Sequence, residues 1–156
     1  MYITRRERFS ASHRLFNKNL SADDNKKIFG KCYNLHGHNY EIFVTVSGSV
    51  KSHSGFIVDL KDLKKIIQEK VINKIDHNDI NEVDFMKDQI TTTENLCMQI
   101  WKELKSPINL LGAKLHKIKI SETENNYFEY YGQNELIQKW TQNKNTIQII
   151  SQQKKK

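Results

Sequence analysis

The sequence predicts an α+β fold, an antiparallel four-stranded sheet with two helices on one face, in the order β-β-α-α-β-β. Three observations predict it. Alternating runs begin and end the chain's first 132 residues, two helical stripes lie between them, and no further repeat occurs at a fixed period.

Residues 2–13 alternate as a strand that ends at His13. Residues 14–35 read as a long polar loop carrying Cys32, and loops of that length in compact domains usually serve function. Residues 38–48 form the second strand, stopped by Gly48. A turn and a short extended piece, Gly55-Phe-Ile-Val-Asp59, follow, and Asp59 is the N-cap of the first helix. Leu60, Leu63, Ile67 and Val71 repeat at helical spacing with Ile66 beside them, opposite a solvated face of Lys61, Lys65 and Glu69. Asp76-His77-Asn78 lies in the loop after that helix. Thr91-Thr92-Thr93-Glu94 reads as a Thr-x-x-Glu capping box for the second helix. Leu96, Ile100 and Leu104 form its stripe, and Pro107 is expected just past its end. Residues 114–121 and 126–131 supply the last two strands.

The 156 residues suggest one domain over 1–132 and a polar, basic C-terminal extension over 133–156, with a helical turn at Glu135–Trp140 and a loose tail beyond Asn143. The hydrophobic fraction is 37% and the charged fraction 28%, and no apolar run approaches the ~18 residues of a membrane span. No charged-then-apolar leader precedes the first strand, so a signal peptide is not expected. Two cysteines make no disulfide framework: Cys97 falls in an apolar helical pattern, and Cys32 in a polar loop suits a reducing cytosol, hence a cytoplasmic protein. The formal charge of +7 comes from scattered lysines, and no nucleic-acid module is present, so an anionic small substrate explains it better than nucleic acid.

The chemistry concentrates at Cys32-Tyr-Asn-Leu-His36-Gly-His38. Strand residues i and i+2 share a face, so His36 and His38 can point together, and Gly37 permits a close approach between them. If the first two strands pair, His13 completes a set of three imidazoles with an open position, the pattern of a catalytic zinc. His53 and His116 have no partner at ligand spacing and read as surface or strand residues. Glu122 follows Ile118 and Ile120 on one face. It is either a carboxylate aimed into a pocket or a strand end at the surface.

Phe9-Ser-Ala-Ser-His13-Arg-Leu, Phe29-Gly-Lys-Cys32, Leu35-His36-Gly-His38-Asn-Tyr, Asp76-His77, Thr92-Thr93-Glu94-Asn95 and Ser121-Glu122-Thr123 occur in this order over residues 5–132. Together they resemble the 6-pyruvoyl-tetrahydropterin synthase family of the tunnelling fold. The resemblance implies that His13, His36 and His38 are zinc ligands and that Cys32 is the catalytic thiol. Asp76 and His77 would be its proton-transfer partners. Glu122 would anchor the pterin ring, with Thr92 and Thr93 on the pocket wall. It implies a lyase that removes triphosphate from 7,8-dihydroneopterin triphosphate to give 6-pyruvoyl-tetrahydropterin, in tetrahydrobiopterin biosynthesis. Trimers stacked into a hexamer, with active sites between subunits, complete the implied picture.

The interval from Cys32 to His36 departs from the pattern of the animal-type enzymes, where it is longer. It resembles the 6-carboxy-tetrahydropterin synthases of the queuosine pathway, which are the alternative. The long Asn17-to-Phe29 loop, Phe29-Gly-Lys-Cys32, Thr92-Thr93-Glu94-Asn95 and Glu122-Thr-Glu-Asn-Asn126 look like the biopterin branch, which is the reading favoured. A non-catalytic, zinc-containing pterin-binding module would need no proton shuttle such as Cys32 with Asp76-His77. A basic RNA-binding domain would need a stacking aromatic motif that is not seen.

Overall fold

A computed structural model of the chain describes residues 1–132. The expected extension over 133–156, with its turn at Glu135–Trp140, lies outside the described residues. Four antiparallel strands stand in the order β1-β2-β3-β4: β1 Tyr2–His13, β2 His36–Ser47, β3 Lys114–Ser121 and β4 Tyr127–Tyr130. The α+β fold and the four-stranded sheet agree with the sequence reading.

Period-2 alternation puts Phe9, Ala11 and His13 of β1 on the same face as Tyr40, Ile42 and Val44 of β2 and Ile118 and Ile120 of β3, all of them buried. Helices cover that face. Asp59 caps α2, Leu60–Ile67, by accepting from the Lys61 N–H. A π-helical turn, Gln68–Ile72, and α3, Asn73–Ile75, continue it without a break. Leu63, Ile67 and Val71 are wholly buried, each contributing about 1.5–3 kcal/mol. Leu60 differs from the expected stripe. It occupies the first position after the cap and is 52% exposed. The expected core helix is α4, Thr93–Leu110, whose Leu96, Cys97, Ile100 and Leu104 pack inward.

Three sequence expectations are corrected. The stretch 14–35 is not wholly loop: it holds α1, Ala22–Phe29, and a 3-10 turn, Gly30–Tyr33, that carries Cys32. Helix α1 rests on capping rather than on an apolar stripe. Ser21 accepts from the Asp24 N–H and donates its hydroxyl to the Asp24 carboxylate, while acids lie in the first turn and lysines in the last. Its one buried residue is Asn25, whose carboxamide accepts from Asn17 N–H and donates to the Asn17, Leu20 and Ser21 carbonyls.

The cap of α4 is Thr92, which accepts from Asn95 N–H, so Glu94 stands one position too early for the expected box. Pro107 lies inside the last turns of α4 rather than past them. It forfeits the bond to the Glu103 carbonyl, but Ile108 beyond it is fully buried and the helix continues to Leu110, with Leu111 as its cap and Gly112 following at φ +82.

Strand β1 forms one edge of the sheet, and the loop after α3 covers part of it. His77 N–H donates to the Ser10 carbonyl, Ser12 N–H donates to the Asn78 carbonyl, and Ser12 bridges Asp79 in parallel. Residues 76–79 are thereby fixed against the strand that delivers His13.

Candidate active site

Pairing of β1 with β2 sets His13 directly opposite His36 and Ala11 opposite His38, so all three imidazoles share the core-facing side at one end of the sheet. One ligand atom from each lies within 4.8 Å of those of the other two. The approach depends on Gly37, where a Cβ would stand 2.9 Å from the Ala11 carbonyl oxygen.

Backbone carbonyls orient two of the rings. Nδ1 of His13 is 2.8 Å from the Thr91 carbonyl, and Nδ1 of His36 is 2.8 Å from the Asn34 carbonyl. A carbonyl only accepts, so each Nδ1 carries the proton and each Nε2 keeps its lone pair for a metal. Burial pushes the His13 pKa below its usual 6.5, against the pull of the Thr91 carbonyl, which suits a ligand that must be neutral to bind. Tyr40, stacked on Phe9, places its hydroxyl 3.4 Å from His13 Nε2 beneath the cluster. Burial raises the pKa of this phenol, so it stays protonated. Three convergent imidazoles, two of them with the tautomer set by a backbone carbonyl, fit zinc with an open position.

Glu122 resolves in favour of the pocket. Its Oε1 stands 3.9 Å from Nε2 of both His13 and His38 and accepts from the Thr93 hydroxyl at 2.7 Å. Thr92, by contrast, spends its hydroxyl on the helix cap. An open groove of about 550 Å³ beside the carboxylate is lined by Asn39, Glu41, Ser121, Glu122, Thr123 and Glu124.

Cys32 is exposed, and its carbonyl accepts from Leu15 N–H at 2.7 Å, two residues beyond His13. It is thus anchored between the segments that carry His13 and His36. Asp76 and His77 lie elsewhere. Asp76 Oδ1 accepts the Ser10 N–H and stands 3.0 Å from His77 Nδ1. The Ser10 N–H, and then His77, hold the Asp76 carboxyl below its usual range. The His77 side chain is 82% exposed at φ +58. It lines a groove with Ser10, Ser12 and Asn39, residues of the sheet's other face, and with His38. Among the described residues no hydrogen bond or ion pair joins this pair to Cys32 or Glu122. The sequence pattern missed two groups that contact the cluster, the Thr91 carbonyl and the Tyr40 hydroxyl. Only the phase of Tyr40 in the β2 alternation signalled its inward aim.

The sequence profile of the family described as "6-pyruvoyl tetrahydropterin synthase" matches residues 2–133. The chain belongs to this family. A "6-pyruvoyl tetrahydrobiopterin synthase" of Dictyostelium discoideum is 47% identical over 132 residues, spanning 84% of this chain and 96% of that protein. The protein of the same name from Homo sapiens is 41% identical over 134 residues, spanning 84% and 91%. The structure of Caenorhabditis elegans 6-pyruvoyl tetrahydropterin synthase superposes with a TM-score of 0.79 at 38% identity, covering 85% of this chain and 96% of that one. As a member of the 6-pyruvoyl tetrahydropterin synthase family the chain is read as an enzyme that uses a pterin. Among the described residues no helix is long and apolar enough to cross a membrane.

Proposed function

We propose that the chain is a zinc-dependent 6-pyruvoyl-tetrahydropterin synthase, a lyase that converts 7,8-dihydroneopterin triphosphate to 6-pyruvoyl-tetrahydropterin with loss of triphosphate. The observation that carries this reading is the placement of Glu122 Oε1 3.9 Å from two of three clustered imidazoles. A pterin anchor and a metal site then serve one substrate.

His13, His36 and His38 would hold the zinc, which supplies Lewis acidity and a template for the side-chain oxygens. Each carboxylate oxygen of Glu122 has two lone pairs, so it can keep Thr93 while accepting paired N–H donors from the pterin ring. That contact fixes the ring while the dihydroxypropyl chain reacts. Cys32, as thiolate, takes a proton from the side chain. Hydrogen moves within the substrate, from the side chain to the ring, so no redox cofactor is required. Asp76 fixes the tautomer of His77 through the 3.0 Å contact, leaving the far ring nitrogen to exchange protons.

The exposure of both His77 and Cys32, with no hydrogen bond between them among the described residues, supports a homo-oligomer in which one protomer's His77 serves its neighbour's thiol. The family resemblance supports a hexamer built as a dimer of trimers, and the free thiol of Cys32 supports a cytoplasmic location.

The test is to load the protein with zinc, add dihydroneopterin triphosphate and identify the product by mass spectrometry. The 6-pyruvoyl product supports the reading. The short Cys32–His36 interval favours one competitor, 6-carboxy-tetrahydropterin, and its shorter side chain gives a distinct mass. Binding without turnover would indicate a pterin-binding module.

A further inference from the structure

Arg14 directly follows the innermost histidine, and a single carboxamide satisfies both of its backbone groups. Asn81 Oδ1 accepts the Arg14 N–H at 2.9 Å, and Asn81 Nδ2 donates to the Arg14 carbonyl at 3.0 Å. The same Nδ2 lies 3.2 Å from the Thr91 hydroxyl, which itself donates to the Arg14 carbonyl at 2.9 Å. Thr91 is 2% exposed, and its own carbonyl takes the His13 Nδ1 proton at 2.8 Å. The four bonds close a loop: Asn81 to Arg14, Arg14 to Thr91, Thr91 back to Asn81, with the His13 ring hanging from the Thr91 backbone.

We propose that Asn81 is a positioning residue for the metal centre, clasping the β1 end to Thr91 so that His13 meets the other two histidines already oriented. This rests on the reading that the three histidines bind zinc.

The elements involved explain why such a clasp is needed. His13 is the last residue of edge strand β1, and beyond it the chain leaves the sheet. Arg14 therefore has no strand partner for its N–H and carbonyl, and the side chains of Asn81 and Thr91 supply partners for both. Asn81 sits in the 3-10 turn Ile80–Glu82, held by the fully packed Ile80 and by its own N–H to Asp79 Oδ1. Thr91 precedes the cap of α4. The carboxamide mimics a strand edge with one acceptor and one donor at fixed separation. No other residue type of that length carries both. The clasp differs from the bond to His13 in leaving the ring untouched: it fixes the carbonyl that the ring donates to, and the backbone from which the ring springs. Such outer groups typically alter metal affinity by roughly 10–100-fold.

The experiment measures Zn²⁺ and Co²⁺ affinity of the full chain by chelator competition, together with the thermal midpoint of the metal-free protein. Asn81→Ala and Thr91→Val should each weaken metal binding by roughly 10–100-fold. Thr91→Ser retains the hydroxyl and should bind as wild type does. Asn81→Asp keeps the acceptor for Arg14 N–H but loses the donor, so it should fall between Asn81→Ala and wild type. Co²⁺ absorption bands in Asn81→Ala should shift, which a general loss of stability alone would not cause.

Wild-type affinity in Asn81→Ala and Thr91→Val overturns the proposal. So does equal loss in Thr91→Ser and Thr91→Val. If Asn81→Ala does not fold, the Thr91 pair and Asn81→Asp decide by the same criteria. His36→Ala separates the two readings: unchanged zinc binding there overturns the metal site itself, whereas lost binding there with intact Asn81→Ala affinity overturns only the clasp.

Discussion

The Thr93 hydroxyl donates to Glu122 Oε1 across 2.7 Å, tying the first turn of α4 to the residue that follows β3. The carboxylate is thus held in place, with Oε1 3.9 Å from Nε2 of both His13 and His38.

Glu122→Gln keeps the shape and the Thr93 contact but removes the charge that paired N–H donors need. Pterin affinity is expected to fall by the equivalent of roughly 1.5–3 kcal/mol. Thr93→Val should weaken binding less, since the charge stays and only its aim is lost. Calorimetric titration of a free pterin into the three proteins checks both. Equal affinity for Glu122→Gln and wild type would remove Glu122 from the site.

Cys32→Ala is expected to retain zinc and pterin binding while turnover drops by on the order of 10²–10⁴-fold, the usual worth of a positioned base. The thiol lies outside the histidine set and its backbone is anchored by Leu15, so the metal segments stay in place without it. Metal content and single-turnover rates measured together decide its role, and loss of the metal would make Cys32 a ligand instead.

Gly37→Ala would bring a methyl to 2.9 Å from the Ala11 carbonyl oxygen, which is backbone and cannot swing aside. Strands β1 and β2 must part at the point where His13 faces His36. A stability loss of about 1–3 kcal/mol in urea is expected, together with weaker zinc binding. If zinc binds as in wild type, the strands have room that the geometry denies.

His13 gives the metal-free protein a pH dependence. Its folded pKa lies below the unfolded 6.5 because burial disfavours the imidazolium. Above 6.5 neither state holds the proton. As the pH falls from 6.5 towards the lower folded value, the unfolded chain gains a proton that the folded state refuses, and stability is lost over that window. Denaturation at successive pH values should show a smaller loss in metal-free His13→Gln than in wild type. Identical pH profiles would mean that burial does not keep His13 neutral.

The parts of the molecule legible in the sequence are those written in a period. Alternation brought His36 and His38 to one face, and the 3.6 spacing of Leu63, Ile67 and Val71 marked the helix they bury. What escaped was held by single polar groups at no fixed spacing. Helix α1 depends on Ser21 and on the buried carboxamide of Asn25, which apolar periodicity does not register. Thr92 took the cap one residue later than expected because Thr91 is engaged with Arg14 and His13. Pro107 was read as a stop, but burial of Ile108 outweighs the bond it forfeits. The family resemblance named Asp76 and His77. Their seat on the β1 edge became visible only with the bonds to Ser10, a contact between segments 66 residues apart.

The chain has two thiols of opposite character. Cys97 is 1% exposed, and burial pushes its pKa up to about 12, whereas Cys32 stands open on the 3-10 turn that precedes β2. Near neutral pH a soft electrophile such as iodoacetamide therefore meets one competent sulfur per chain. On the proposed reading, in which Cys32 serves the reaction, alkylation kinetics become a built-in footprint of the site. Protection by a pterin or by zinc can be followed in the native sequence, with no cysteine engineered in or out.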